Sequence, residues 1–262
     1  MIHPTAILDP RAEVDSTATV GPYAVIDAGV VVGPHCVLGP QVHLTGRTRL
    51  GSHNRVHAGC VLGDAPQDLH YRDEPTELVV GDHNTFREHV TVHRANREGD
   101  ETRIGSHVLL MAGSHVAHNC KVADRVILTN GALLAGHVTV QERAIISGNC
   151  LVHQFVRVGT LALMQGGSAI SKDLPPYTIA WGANGLCGLN VVGLRRAGYT
   201  AEQRTELKRL YRLLFRDGLR PSEALDRARR DFTTPEAMVL IEFVASARRG
   251  LCADRRAPGS ES

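Results

Sequence analysis

Apolar residues recur at every sixth position along most of this 262-residue chain. Of the 29 positions reached in steps of six from Ile2 to Ile170, only Asp68, Glu74 and Glu98 are not apolar. A period of six matches neither the 3.6-residue turn of an α-helix nor the two-residue alternation of a strand. It is typical of a hexapeptide β-helix, in which three short strands form each coil of a triangular prism.

The other positions of the repeat fit the same geometry. Small residues such as Ala24, Cys36 and Ala132 precede the apolar ones by two, so both point inward on one strand. Residues that tolerate turns, such as Gly33 and Gly159, follow them directly. At 18 residues per coil and a strand spacing of about 4.8 Å, roughly nine coils would form a prism about 45 Å long.

The repeat pattern divides the chain into a β-helix domain over residues 1–190, a helical domain over 191–250 and a disordered tail over 251–262. Polar excursions interrupt the prism at 64–78 and 94–103. Such loops usually line the binding face of a solenoid, although tolerated surface insertions would look the same. Thr200 and Gln203 form a capping box that opens the helical part.

Composition and hydropathy argue against several classes of protein. A formal net charge of +2, without interleaved basic and aromatic residues, gives no support for a nucleic-acid partner. No apolar run is long enough for membrane insertion, and the repeat begins too early for a signal peptide. Four of the six cysteines occupy the small inward position, as expected for reduced thiols in a cytoplasmic protein.

Fourteen histidines are present, and three of them fall about one coil apart. His118, His137 and His153 are therefore predicted to form one vertical cluster. An imidazole titrates near neutral pH and can take a proton from a sugar hydroxyl, which suits general-base catalysis. Zinc bound between neighbouring prisms is the alternative. The histidine spacing of hexapeptide carbonic anhydrases is missing, so we assign no metal and no cofactor.

Several short motifs occur together along the chain, and they carry a family resemblance. They are HPTAI from His3, Gln67-Asp68-Leu69 with Tyr71, His115-Val116-Ala117-His118, Leu134-Ala135-Gly136-His137-Val138, Val152-His153-Gln154-Phe155, Pro175-Pro176-Tyr177 and Asn190-x-x-Gly193-Leu194-Arg195-Arg196. In this order, before a helical tail, the sequence resembles the UDP-N-acetylglucosamine O-acyltransferases, which start lipid A synthesis.

That resemblance implies a homotrimer of left-handed β-helices with active sites in the clefts between subunits. It implies transfer of an (R)-3-hydroxyacyl group from acyl carrier protein to the 3-hydroxyl of UDP-N-acetylglucosamine. By position, His118 would be the general base. The backbone N–H of Gly136 would stabilise the negative charge that develops on the thioester carbonyl oxygen.

Substrate-binding residues follow from the same motifs. They are Asp68, His70, His115, His137, His153, Gln154, Asn190 and Arg196, with Gly166 and Leu163 at the position that sets acyl length. Three residues depart from the family pattern: Val192, where some relatives carry a glutamate near the nucleotide, Asn119 and His70. Asn119 stands where an aspartate is frequent, so the carboxylate that would orient His118 is missing. His70 replaces a common lysine, which makes one phosphate contact dependent on pH.

Two pairs of basic residues are 18 positions apart: Arg103 with Lys121, and Arg125 with Arg143. Each pair should stack on one face and together form a basic ridge. Acyl carrier proteins are acidic, so the ridge could speed their encounter with the enzyme. Charges that only solvate the surface would give the same pattern.

Other functions fit parts of the sequence. A related enzyme could acylate a sugar amine, including a 3-amino analogue of the nucleotide sugar, and an acetyl-CoA-dependent relative is also compatible with the repeat. A non-catalytic hexapeptide scaffold is the third possibility. It would lose no measurable property when His118 is replaced by alanine.

Overall fold

The computed structural model describes residues 1–254. The prism is built from short strands, nearly all of two residues, that repeat every six residues. In chain order they are β1 Ile7–Leu8, β2 Glu13–Val14, β3 Thr19–Val20, β4 Val25–Ile26, β5 Val31–Val32, β6 Val37–Leu38, β7 His43–Leu44, β8 Arg47–Leu50, β9 Arg55–Val56, β10 Val61–Asp64, β11 Glu77–Val80, β12 Thr85–Phe86, β13 Thr91–His93, β14 Glu101–Ile104, β15 Leu109–Leu110, β16 His115–Val116, β17 Lys121–Val122, β18 Ile127–Leu128, β19 Leu133–Leu134, β20 Thr139–Val140, β21 Ile145–Ile146, β22 Leu151–Val152, β23 Arg157–Val158, β24 Leu163–Met164 and β25 Ala169–Ile170.

The chain closes the prism with a hairpin and then forms a helical region. These elements are β26 Thr178–Trp181, β27 Gly185–Leu189, α1 Val191–Arg196, α2 Ala201–Phe215, α3 Pro221–Asp231, α4 Pro235–Ala245 and β28 Ala253–Asp254.

Every third strand joins the same sheet, so the prism has three faces. Sheet I contains β1, β4 and so on to β25, and sheet II contains β2, β5 and so on to β23. Sheet III contains β3, β6 and so on to β24, extended by β26, β27 and β28. Within the coils all strand pairs are parallel, and partners such as Val116, Leu134 and Val152 are 18 residues apart.

The predicted inward positions form the core. The hexad residues Leu134 and Val152 are at most 2 % exposed, and the small residues before them, Ala132 and Cys150, are fully buried. Burial raises the pKa of the Cys120 thiol to about 12, so this cysteine is uncharged and has the properties of a small apolar side chain.

Histidine rings form a column along one corner of the prism. At the corner between sheets II and III, the rings of His35, His53, His83 and His107 stack with neighbouring centroids 4.7 to 5.0 Å apart. All four have φ between 56° and 59°, the left-handed conformation that the corner requires. These histidines are on a different corner from His118.

Both polar excursions leave the prism at the corner between sheets I and II. One runs from residue 65 to 76 between β10 and β11, and the other from 94 to 100 between β13 and β14. His118 and His137 lie at this same corner, in the connections from β16 to β17 and from β19 to β20. The loops and the histidines therefore share one edge of the molecule.

The helices pack on the end of the prism. The capping box at Thr200 is present, with Gln203 returning its side chain to the Thr200 backbone N–H. Leu207, Leu210 and Ile241 form a second apolar cluster with Leu161 and Tyr177 of the last coils. No helix within residues 1–254 is long and apolar enough to cross a bilayer.

The predicted disordered tail is wrong at its beginning. Residues 253 and 254 form β28, which pairs with β27. The Asp254 side chain is buried and accepts hydrogen bonds from the Tyr211 hydroxyl and from Arg216. Nothing in the sequence indicated this contact, because Asp254 lies in a polar segment and its partners are 38 and 43 residues away along the chain. Residues 255–262 lie outside the described part of the chain.

Candidate active site

A groove of about 740 Å³ runs along the outer face of sheet I and up to the corner with sheet II. Its floor consists of outward-facing residues stacked one coil apart, namely His115, Leu133, Leu151 and Ala169. At the strand spacing of about 4.8 Å, this row is roughly 14 Å long. Leu133 and Leu151 are 40 % and 48 % exposed, so they form an apolar surface open to a ligand.

His118 lies at the corner end of this groove. Its Nδ1 is 2.9 Å from Oδ1 of Asn119. The His137 ring meets the His118 ring edge-on, with centroids 5.2 Å apart, and is itself stacked on Phe155 at 4.5 Å. This packing limits rotation of the His118 ring. Its Nε2 has no hydrogen-bond partner within residues 1–254.

Gly136 lies directly beside Nε2 of His118. A Cβ at position 136 would be 2.7 Å from that nitrogen and 2.6 Å from Cε1, closer than real Cβ contacts allow. Only glycine therefore leaves the imidazole in this place. The Gly136 N–H donates no hydrogen bond among the described residues, and Gly136 lines the groove. This N–H is available to a ligand oxygen.

The neighbouring histidines are held uncharged. Burial, with smaller effects from His93 and His118, lowers the pKa of His115 to about 4. Burial also lowers the pKa of His93 and of His137. Nδ1 of His115 is hydrogen-bonded to the Thr91 hydroxyl at 2.7 Å. Near pH 7 these rings are therefore neutral and add no positive charge beside His118.

The two excursions are hydrogen-bonded to each other at the corner of the prism that carries His118. Asn96 of the second loop donates from Nδ2 to Asp68 of the first, at 2.7 Å. Hydrogen bonds from the His70 backbone N–H and from Asn96 lower the pKa of Asp68 to about 2, so its carboxylate is ionised. The His70 side chain is 93 % exposed, and its Nδ1 lies 3.2 Å from Oδ1 of Asp68. Gln67 lines the groove itself.

His153 and Gln154 also line the groove, in the connection from β22 to β23. The structure thus gathers His115, His118, Gly136, His153 and Gln154 around one groove, with His137 and Asp68 adjacent to it.

Asn190 and Arg196 are found elsewhere in the chain. They line a second groove of about 510 Å³ between sheet III, the corner of sheets II and III, and α1. Asn190 is the N-cap of α1, since its Oδ1 accepts from the Gly193 N–H at 2.9 Å. The first groove and the second groove share no lining residue. A single chain therefore does not bring the predicted nucleotide residues to His118.

The two acyl-length residues are also separated from His118 within one chain. Leu163 lies on the outer face of sheet III and lines the second groove, because the strand alternation turns it outward there. Gly166 lies at the corner of sheets III and I, where an added Cβ would meet only the Gly148 carbonyl oxygen at 3.5 Å. It lines neither groove.

The four residues of the basic ridge stack in two pairs. Arg103 and Lys121 are neighbours on sheet II, whereas Arg125 and Arg143 occupy the corner of sheets II and III. Three of these four cations have acidic partners. Glu101 pairs with Arg103, and Glu142 pairs with both corner arginines. Arg125 and Arg143 also line the second groove beside Arg196.

Sequence reasoning missed the apolar floor of the groove and the residues behind His118. A signal for the floor was available, because Leu133 and Leu151 are apolar at a position that faces outward in the repeat. Asp100 and Asn96 gave no signal, because their contacts depend on the path of the excursion. No group of three or more potential metal ligands is assembled within residues 1–254.

A prism of hexapeptide coils that presents a histidine and a free backbone N–H over an apolar groove defines a hexapeptide-repeat acyltransferase. The family model described as "Udp N-acetylglucosamine O-acyltransferase; Domain 2" matches residues 173–252, and the model of the bacterial transferase hexapeptide matches residues 101–136. The chain belongs to the acyl-[acyl-carrier-protein]–UDP-N-acetylglucosamine O-acyltransferase family and is an enzyme.

Individual relatives match nearly the whole chain. The O-acyltransferase of Syntrophobacter fumaroxidans is 42 % identical over 254 residues, covering 95 % of this chain and 98 % of the relative. That of Neisseria meningitidis is also 42 % identical, covering 96 % and 98 %. The crystal structure of the Francisella novicida UDP-N-acetylglucosamine acyltransferase superposes with a TM-score of 0.93 at 32 % identity, covering 99 % of this chain and 95 % of that one. The predicted left-handed β-helix with a C-terminal helical region is confirmed.

Proposed function

We propose that this enzyme transfers an (R)-3-hydroxyacyl group from acyl carrier protein to the 3-hydroxyl of UDP-N-acetylglucosamine, the first step of lipid A biosynthesis, with His118 as general base. The observation that carries the proposal is the position of His118. Its unpartnered Nε2 faces the Gly136 backbone at the end of an apolar groove. Base, oxyanion donor and acyl site are then within reach of one reacting carbonyl.

The chemistry follows from these groups. Nε2 of His118 takes the proton of the sugar 3-hydroxyl as its oxygen attacks the thioester carbonyl carbon. The C=O electron pair moves onto oxygen, where the Gly136 N–H can donate a hydrogen bond to the developing charge. Collapse of the tetrahedral intermediate breaks the C–S bond. The imidazolium then gives its proton to the departing thiolate of the carrier protein, which leaves His118 ready for another cycle.

The apolar floor fits the acyl chain. Leu133, Leu151 and Ala169 extend from the histidine along sheet I, and Ile170 and Val152 lie behind them. Burying the outward-facing leucines against methylenes would contribute about 25 cal/mol per Å² of apolar surface removed from water. The polar residues Gln67, His153 and Gln154 lie along the same groove, where the sugar and the 3-hydroxyl of the acyl chain need hydrogen bonds.

A neighbouring copy would complete the site. Asn190 and Arg196 are on another face of the prism from His118, so one chain alone cannot place both beside one nucleotide sugar. In a homotrimer, the second groove of one subunit can face the first groove of the next. Arg196 could then hold the diphosphate through paired N–H groups.

Product analysis tests the proposed reaction. The purified protein is incubated with UDP-N-acetylglucosamine and a set of 3-hydroxyacyl carrier proteins of different chain lengths, and the products are identified by mass. We expect an ester of the nucleotide sugar with at least one chain length. Acylation of only a 3-amino analogue, or of no sugar nucleotide, would contradict the proposal.

The basic ridge is proposed to guide the acidic carrier protein. Reversing two of its charges with Arg125→Glu and Arg143→Glu should raise KM for the acylated carrier about tenfold at low salt, because exposed charges mainly affect encounter. The effect should diminish as salt screens the ridge. Arg11→Glu is the matched control, since Arg11 is an exposed arginine paired with Asp9 in the first coil.

The same double variant separates two roles of these arginines. A rise in KM for UDP-N-acetylglucosamine alone would assign Arg125 and Arg143 to the nucleotide in the second groove. An unchanged KM for the carrier at low salt would refute the ridge.

A further inference from the structure

Asn119 is fixed by three hydrogen bonds at the back of His118. Its Oδ1 accepts from the Asn96 backbone N–H at 3.1 Å and lies 2.9 Å from Nδ1 of His118. Its Nδ2 donates to Oδ2 of Asp100 at 2.9 Å. The second excursion thus supplies both a donor and a carboxylate to this one amide.

These partners determine which way the amide points. A carboxylate can only accept from Nδ2, and a backbone N–H can only donate to Oδ1, so the flipped amide would lose both bonds. With Oδ1 held against the ring, Nδ1 of His118 must carry the ring proton. Nε2 then has the free lone pair, on the side of the ring that faces Gly136.

We propose that Asp100 is a positioning residue for the acyl transfer: by holding the Asn119 amide, it keeps His118 in the tautomer whose Nε2 can accept the sugar proton. The inference rests on the proposed function. It also explains how the chain works without an aspartate at position 119. Asp100 supplies the carboxylate from the second excursion, and it reaches the imidazole through the Asn119 amide instead of directly.

The geometry makes Asp100 a better test than Asn119. Asn119 has φ of 59°, a left-handed conformation that asparagine and aspartate adopt more readily than alanine. An Asn119→Ala change would therefore strain the corner. The Asp100 side chain is on the exposed loop, and its removal leaves the backbone bonds of the loop intact.

Asp100→Ala should lower kcat about 10-fold, the lower end of the loss when a partner that orients a functional histidine is removed, because Asp100 acts on His118 through Asn119. KM for both substrates should stay within about twofold, since Asp100 lines neither groove. Glu98→Ala is the control, because Glu98 is exposed on the same loop and should keep wild-type kcat. A loss seen only in KM, or no loss, would overturn the proposal.

A second substitution distinguishes loss of His118 orientation from a general disturbance of the loop. In Asp100→Ala with Asn119→Asp, the new carboxylate accepts from Nδ1 of His118 and from the Asn96 N–H, so kcat should recover to within a few fold of wild type. Asn119→Asp alone puts two carboxylates in contact, and like charges repel. Its kcat should be lower than that of the double variant. Removal of the Asp100 carboxylate is then harmful when position 119 is asparagine and beneficial when it is aspartate.

Imidazole ¹⁵N NMR supplies a direct readout. In the wild-type protein the His118 ring should carry its proton on Nδ1, and in Asp100→Ala the two tautomers should be mixed. An unchanged spectrum, or failure of the double variant to recover kcat, would overturn the role of Asp100. If the wild-type protein acylates no sugar nucleotide, the proposed function fails instead, and the spectrum still reports the tautomer.

Discussion

Replacing His118 by alanine should lower kcat by about 10² to 10⁴, the usual contribution of a general base. KM for the nucleotide sugar should change little, because the ring acts on the proton in the transition state and the other groove residues still bind the substrate. The measurement is initial-rate kinetics with UDP-N-acetylglucosamine and acylated carrier protein, supported by circular dichroism to show that the coils remain folded.

His43→Ala is the matched control for this change. His43 is a partly exposed histidine in β7 of sheet I, three coils before His118, and it is paired with Asp27 at 2.9 Å and lies outside the groove. Its removal should leave kcat unchanged. A His118→Ala enzyme with wild-type kcat would remove the base from the mechanism and favour the scaffold hypothesis.

Gly136→Ala should lower kcat about 10²-fold although it adds a single methyl group. The new Cβ would be 2.7 Å from Nε2 of His118, so the imidazole must move away from its position beside the oxyanion donor. A displacement of about 1 Å in a catalytic group can cost a factor of this size. The Gly136 N–H is retained, so the loss would measure the displacement of His118.

The control for this substitution is Gly148→Ala. Gly148 is also a corner glycine, at sheets III and I, and an added Cβ there would come no closer than 3.5 Å to Asn130. Kinetics should resemble the wild type. If both Gly136→Ala and Gly148→Ala kept wild-type activity, His118 could not lie as close to Gly136 as the structure places it.

Much of the fold could be predicted from the sequence alone because every coil has the same packing requirements. An inward aliphatic, a small inward neighbour and a turn-compatible residue recur every six positions, so counting specifies the strands and the faces. The repeat also predicted that His118 and His137, 19 residues apart, cluster in neighbouring coils, and their rings meet edge-on with centroids 5.2 Å apart. Regular stacking converts sequence distance into spatial distance.

The remaining parts of the site depend on contacts that no period describes. Asp100 and Asn96 meet Asn119 only because the second excursion folds back over the corner. Asp254 is buried because Tyr211 and Arg216, on α2 and at its C-terminal end, provide its hydrogen bonds. Asn190 and Arg196 come after the last coil, where the repeat has stopped, so the repeat could not predict that they lie on another face. Irregular segments have to be seen in three dimensions.

The departure at Asn119 shows how the two kinds of information combine. From sequence, the missing aspartate predicts an imidazole without an orienting carboxylate. In the structure, the Asp100 carboxylate instead holds the Asn119 amide, at 2.9 Å from its Nδ2. The expectation of a missing carboxylate was based on position 119 alone, whereas the carboxylate belongs to Asp100, 19 residues earlier in the chain.

A crystal structure with UDP-N-acetylglucosamine bound tests the central claim most directly, since it locates the atom that must lose a proton. We predict the sugar 3-hydroxyl oxygen within about 2.6 to 3.2 Å of Nε2 of His118, on the side of the ring that faces Gly136. A fully occupied sugar whose 3-hydroxyl is hydrogen-bonded to another base, with His118 out of reach, would contradict the account.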